Sequence, residues 1–379
     1  FLRTPGVPNR EQHAKWLAAM GKAVIHRGPD AGDTWMDNHI GLAHRRLSIL
    51  DLSSAGNQPM VSHTERYVIA FNGEIYNFEE LKGELIAAGH QFYTRTDTEV
   101  LLTLYEKLGP KCLDKLNGMF AIAIWDRTSK KLFLARDRLG KKPLYYYQCG
   151  DQFAFASEIK ALTPAPFVKT ELRYDAVRDF FAYQYVPDPK SIYRNIHKLA
   201  PGYWLLTDGE HTQLEQYWDV SFSNPSQDSA EELTKGLYSL IDDAVRLRMV
   251  SDVPLGAFLS GGVDSSAVVG LMAGHRDSPV TTCSIGFDSK RFDEAVWARK
   301  VAELFKTDQH EFTVRDDVPG SLADISRYFD EPFADPSYVP TFFVSQLARK
   351  QVTVALAGDG GDENFAGYGK YYTDQIENQ

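Results

Sequence analysis

Cysteine is scarce in this chain: Cys112, Cys149 and Cys283 are its three thiols in 379 residues, far apart and in no metal-ligand spacing. That pattern excludes a disulfide-stapled scaffold and fits buried or incidental thiols in a reducing cytoplasm. Positive charge is also short, with 41 Lys and Arg against 51 Asp and Glu and a formal net charge of -10, which argues against non-specific nucleic-acid binding. No apolar run reaches membrane-spanning length, and the segment from Phe1 has no signal-peptide pattern. What remains is the composition of an ordinary globular protein, 43% hydrophobic and 24% charged. A chain of 379 residues exceeds the usual span of one hydrophobic core, so two domains are expected.

The most informative stretch is Phe258-Leu-Ser-Gly-Gly-Val-Asp-Ser-Ser-Ala267. Val253 to Leu259 reads as a buried strand and Ser265 to Met272 as the following helix. Between them Ser260, Gly261 and Gly262 let the backbone turn and aim several N–H groups at one anion, with serine hydroxyls at the positive end of the helix. Asp264 would repel a phosphate unless a divalent metal bridges the two. The plain alternative is a Gly-Gly turn capped by serine. A second apolar run, Gln351 to Ala357, leads into Gly358-Asp-Gly-Gly-Asp-Glu363. Its carboxylates can share magnesium with the first loop. Taken alone it reads equally as a surface turn, and its spacing does not fit the twelve-residue calcium loop.

Up to Tyr217 the chain mixes two or three helices with short β segments such as Phe120 to Trp125, Leu132 to Ala135 and Phe153 to Phe155. These lie close enough to pair as antiparallel hairpins in a sandwich of sheets with outer helices. Ser221 to Ser229 has linker composition, which divides the chain into domains 1–222 and 223–379. From Glu231 helices alternate with strands near Ala257, Thr282, Glu311 and Val354, implying a parallel, Rossmann-like α/β sheet. Ligands of such sheets bind at the carboxyl ends of the strands, where both acidic loops fall.

Ser260 to Ser265 resembles the pyrophosphate loop of N-type ATP pyrophosphatases, and Gly358 to Glu363 resembles the second signature of asparagine synthetases. Four earlier segments, His26-Arg-Gly-Pro-Asp30, His44-Arg-Arg-Leu-Ser-Ile49, Asn72-Gly-Glu-Ile-Tyr-Asn77 and Thr96-Asp-Thr-Glu99, are similar to class II glutamine amidotransferase domains. On these motifs, in order over nearly the whole chain, it is identified as a member of the glutamine-dependent asparagine synthetase family. The resemblance implies an αββα sandwich of the N-terminal-nucleophile hydrolase type, followed by a parallel sheet of the adenine nucleotide α-hydrolase type. It also implies ATP and Mg2+, with glutamine and a carboxylate acceptor as further substrates.

By the same resemblance the Asn72 amide and the Gly73 N–H form an oxyanion hole for glutamine hydrolysis. Arg46 forks the α-carboxylate of glutamine, Glu74 and Asp97 face its α-ammonium, and Leu47, Ser48, Ile49 and Leu50 complete that site. Read without the family, Arg46 is a surface cation and Asp97 a helix N-cap before the run Glu99 to Tyr105. In the second domain Leu259 and Ile285 contact adenine, although sheet core is the alternative for both. Ser260, Gly261, Gly262 and Ser265 hold phosphate, Ala357 and Gly358 meet the sugar or the adenylate, and Asp264 and Asp362 bind magnesium. Asp359 is expected near the acceptor as an acid-base or orienting group.

Family members open with a cysteine nucleophile whose own α-amino group is the base. This chain has none before Cys112, so residues ahead of Phe1-Leu-Arg-Thr-Pro-Gly6 are expected, as is a helical region with a functional lysine beyond Gln379. The implied activity is ATP-dependent adenylation of aspartate followed by amidation with ammonia from glutamine, with an apolar passage for the ammonia and a homodimer as the default assembly. Three departures bear on the acceptor: Ala357 stands where the signature has serine, Asp359 where well-known members have glutamate, and Asp335 to Phe342 replaces a Thr/Ile/Arg-rich segment. A sugar acid or natural-product acid is therefore an alternative acceptor, and a β-lactam synthetase-like ligase without glutaminase activity an alternative enzyme.

Overall fold

The computed structural model describes residues 10–287, 295–314 and 318–377; Phe1 to Gly6, where the N-terminal resemblance begins, lies outside them. It divides into two compact units, Phe1–Pro225 with Phe329–Ala334, and Ser226–Tyr328 with Asp335–Gln379. Assigning Phe329–Ala334 to the first unit is a feature that composition does not signal.

The first unit is built on one strand. Along Gly118–Asp126, Phe120, Ile122 and Ile124 point into one buried cluster, and Ala121, Ala123 and Trp125 into another. That is the period-two alternation of a strand covered on both faces. It sits inside a six-stranded antiparallel sheet ordered Thr212–Gln216, Tyr203–Thr207, Lys131–Arg136, Gly118–Asp126, Tyr67–Ile75, Met60–Val61. On one face the helices Phe78–Ala87 and Asp97–Leu108 bury Leu81, Leu85, Leu101 and Leu104 against it. On the other face lie Leu42 of the pair Ala31–Met36 and Gly41–Arg46, and Phe153 of the sheet Gln152–Ala156, Tyr145–Cys149, Ile196–Lys198. Helix Arg10–Ala23 covers that second layer through Leu17 and Met20, which pack with Tyr147 and Ala154. The layering is αββα, as the resemblance implies. Phe153 to Phe155 pairs with Tyr145–Cys149 in the second layer, and not with the hairpin of Gly118–Asp126 and Lys131–Arg136.

The second unit opens with helix Ala230–Arg248, started by a capping box in which the Ser229 hydroxyl accepts from the Glu232 amide and the Glu232 carboxylate accepts from the Ser229 amide. Its sheet is four-stranded and parallel, ordered Asp308–Val314, Thr281–Phe287, Leu255–Phe258, Val354–Leu356. From Leu255–Phe258 the chain first steps to the neighbour on one side and later returns to the other side at Val354–Leu356. That reversal makes the carboxyl ends of these two strands a topological switch point, the position where parallel sheets bind ligands.

Candidate active sites

In the first unit, Tyr67–Ile75 and Gly118–Asp126 approach too closely for any side chain at residue 73. A Cβ on Gly73 would lie 2.1 Å from the Met119 carbonyl oxygen. Glycine thus lets the strand carry Asn72 and Glu74 to the mouth of a cavity of about 360 Å³. Arg46, Leu47, Ile49, Leu50, Asn72, Gly73, Glu74 and Asp97 all line it; Ser48 does not, and its amide donates to Asp30 Oδ2 at 2.9 Å. Asn72 Nδ2 is buried without a hydrogen-bond partner among the described residues, as is His44 Nδ1. A buried donor such as the Asn72 amide N–H costs about 1–3 kcal/mol unless a ligand meets it.

Arg46 is buried and ringed by oxygens of the loop that follows it. Its Nη1 donates to the Ser53 carbonyl (2.8 Å) and Asn57 Oδ1 (3.0 Å), and its Nη2 to the carbonyls of Leu50 (3.1 Å) and Asp51 (2.6 Å). To fork a carboxylate through these nitrogens it must exchange some of those bonds. Asp97 is the first residue of its helix; the N-cap is Thr96, whose Oγ1 accepts from the Glu99 amide. The Asp97 carboxylate instead reaches across to accept from the Ile75 amide at 2.9 Å.

The pocket holds its charge under strain. Burial, reinforced by the neighbouring Asp97, pushes the Glu74 carboxyl up to about 8, with Lys142 pulling the other way. Burial raises Asp97 to about 6 against the bonds it accepts from backbone amides. Burial also lowers Lys142, whose side chain lines the same cavity. His44 falls to about 4 through burial, so it is neutral, and its Nε2 donates to the Phe71 carbonyl at 2.9 Å. Glu74 and Asp97 are the carboxylates of this lining, and an ammonium placed against them lets both ionise.

In the second unit the predicted strand, loop and helix are Leu255–Phe258, residues 259–262 and Val263–Gly274. Gly261 has φ +85°, and a Cβ there would meet the Ala298 amide at 2.4 Å, so helix Ala295–Phe305 packs directly on the turn. Ser260 Oγ and Ser265 Oγ lie 3.0 Å apart, and Ser266 Oγ donates to the Gly262 carbonyl at 2.6 Å. The second acidic loop leaves the adjacent strand and folds onto the first. A Cβ on Gly358 would sit 2.7 Å from the Ser265 amide, and one on Gly361 2.2 Å from Asp264 Oδ2. Asp264 and Asp362 are half-buried and Asp359 is exposed. Leu259 is buried, its amide donating to the Cys283 carbonyl at 3.0 Å, while Ile285 and Ala357 lie half-buried at the ends of neighbouring strands.

Residues 5–218 match the family model described as glutamine amidotransferase domain, and residues 236–379 the model described as asparagine synthase. The chain belongs to the glutamine-hydrolysing asparagine synthetase family. A Methanocaldococcus jannaschii chain assigned as asparagine synthetase [glutamine-hydrolyzing] 2 is 42% identical, the match covering 92% of this chain and 72% of that one. Asparagine synthetase [glutamine-hydrolyzing] 1 of Bacillus subtilis is 40% identical over 94% of this chain, but the match spans 56% of that protein's length. Amidase chry2 of Gibberella zeae is 31% identical over 93% of this chain and 55% of its own.

In this asparagine synthetase family member several pocket residues escaped sequence reasoning. Lys142 and Thr98 line the cavity, and Gln58 does so while its Oε1 accepts from the Phe71 amide at 2.7 Å and its Nε2 donates to Thr98 Oγ1 at 3.2 Å. Lys142 carries no local signature. Gln58 and Thr98 were open to a pattern search only through their neighbours, since Thr98 lies inside Thr96 to Glu99. None of the cysteines lines the pocket: burial pushes Cys112 up to about 12 and raises Cys283, and Cys149 lies exposed at a strand end.

Proposed function

We propose that the protein adenylates a carboxylate with ATP in its second unit and amidates it with ammonia released from glutamine in its first, aspartate being the acceptor. The observation that carries the reading is the meeting of the two acidic loops at the sheet's switch point, with the Asp264 carboxylate against Gly361. Backbone N–H groups of residues 260–262 and the start of helix Val263–Gly274 receive the phosphates of ATP. Leu259 and Ile285 border the base, and Ala357 and Gly358 the sugar. No described trio of His, Cys, Asp or Glu forms a cage for a metal. Asp264 and Asp362 offer hard oxygen donors that suit magnesium held by one or two carboxylates, with phosphate oxygens supplying the rest. When bound, that ion neutralises charge building on the phosphates. Asp359, exposed on the second loop, orients or deprotonates the incoming amine.

In the first unit Asn72 Nδ2 and the Gly73 amide stabilise the oxyanion of the glutamine amide, worth about 3–4 kcal/mol for one such donor. Glu74 and Asp97 take the α-ammonium, and Arg46 takes the α-carboxylate by trading loop acceptors for it. Hydrolysis calls for a nucleophile other than the three cysteines of this chain.

A second acceptor reading has specific support in Ala357, Asp359 and the segment Asp335 to Phe342, where this chain departs from the aspartate-specific pattern. Amide-labelled [15N]glutamine, ATP, magnesium and a panel of carboxylic acids decide between them with the full-length protein. Labelled asparagine is the expected product. A labelled amide of another acid keeps the chemistry and replaces the acceptor, and no labelled amide refutes the proposal.

A further inference from the structure

Six residues far along the sequence, Phe329–Ala334, belong to the unit that holds the glutamine pocket. They dock through two carboxylates whose side chains are only 8% and 10% exposed. Asp330 lies 3.0 Å from Lys160 Nζ and accepts from the Ile159 amide. Glu331 lies 2.8 Å from Lys198 Nζ and accepts from the Ile192 amide at 2.7 Å. Buried carboxylates are tolerated only when paired and hydrogen-bonded, so this strap is fixed in place by the charges it meets.

Lys160 has a second partner. Its Nζ lies 2.8 Å from Glu158 Oε2, while Glu158 Oε1 accepts from Arg27 Nη1 at 2.9 Å and sits 3.0 Å from His26 Nε2. His26 and Arg27 are walls of the glutamine pocket. Burial works to raise Glu158, but its bonds from Lys160, Arg27 and His26 outweigh it and hold the carboxyl below its ordinary range. Lys160 is thus shared between Asp330 and Glu158. Without the Asp330 charge, Lys160 is held by Glu158 Oε2 alone, and the carboxylate turns with the ammonium, shifting the Oε1 on which Arg27 and His26 both bear.

We propose that Asp330 is a positioning residue for the glutamine pocket, acting through Lys160 and Glu158 on Arg27 and His26. The strap Phe329–Ala334 thereby makes glutamine hydrolysis depend on a segment delivered from the half of the chain that carries the ATP loops. This rests on the amidotransferase reading above.

The test compares Asp330→Asn, Lys160→Met and Lys160→Arg in the full-length protein. Two activities are read: glutamate formed from glutamine, and pyrophosphate released with ammonium chloride replacing glutamine. Asp330→Asn and Lys160→Met are expected to raise KM for glutamine about tenfold. Lys160→Arg should restore it, and ammonia-dependent pyrophosphate release should stay at the wild-type rate in all three. An unchanged glutamine KM in Asp330→Asn overturns the relay, as does an equal fall in both activities, which marks general destabilisation. A wild-type enzyme that forms no glutamate overturns the amidotransferase reading itself, a different result from either.

Discussion

Replacing Glu74 with glutamine tests the charge logic of the pocket. Moving a carboxyl from its ordinary 4.5 to about 8 makes ionisation in the empty site harder by about 5 kcal/mol, at 1.36 kcal/mol per pH unit. At pH 7 Glu74 is therefore protonated when the site is empty and ionised when an ammonium sits against it. Binding of glutamine then releases a proton, and the Kd falls as pH rises, by up to tenfold per unit between about 6 and 8, the window set by Asp97 and Glu74. Calorimetry in two buffers of different ionisation enthalpy counts the proton directly, using a protein that lacks the nucleophile. The same shift acts on stability with the opposite sense. The folded state holds the proton more tightly than the unfolded chain, so stability contributed by this site is lost as pH rises from 4.5 through 8. Glu74→Gln should accordingly be more stable than wild type at pH 8, by up to about 4 kcal/mol, and equally stable near pH 4. It should also bind glutamine more weakly and without the pH slope. A wild-type Kd that is flat from pH 6 to 8, or a slope that survives in Glu74→Gln, refutes the reasoning.

Asn72→Ala should lower the kcat for glutamate formation by about 10²- to 10³-fold while ammonia-dependent pyrophosphate release continues, as expected if its unpartnered Nδ2 serves the oxyanion. Gly361→Ala should abolish pyrophosphate release and spare glutamate formation, because its Cβ would displace the Asp264 carboxylate 2.2 Å away; rates of both reactions on one preparation check this. Asp362→Asn should raise the magnesium concentration for half-maximal pyrophosphate release about tenfold or more, measured by metal titration, while leaving glutamine hydrolysis insensitive to metal.

The parts of the sites that were legible in the sequence are local ones. An apolar run, a Ser-Gly-Gly turn and a helix predict Leu255–Gly274 because each follows from residues within one or two turns of one another. The position of the two loops at the strands' carboxyl ends followed from the alternation of helix and strand. The pairing of Gln152–Ala156 with Tyr145–Cys149 did not, since a short apolar strand fits either neighbour and only the two-sided core decides. Lys142 reaches the pocket from a loop with no motif, and Arg46 is held by carbonyls, which carry no side-chain signature. The strap is invisible for the same reason: Asp330 and Glu331 read as surface charges until their distant lysines are in view.

Adenylation is the central claim, and it leaves a mark on an atom. With aspartate labelled by 18O in its side-chain carboxylate, attack on the α-phosphorus of ATP and displacement by ammonia transfer one labelled oxygen to AMP. Mass spectrometry of the nucleotide from the full-length enzyme should find AMP carrying one 18O, in step with pyrophosphate and asparagine. Formation of ADP and phosphate, or of AMP without label while asparagine accumulates, would contradict the account.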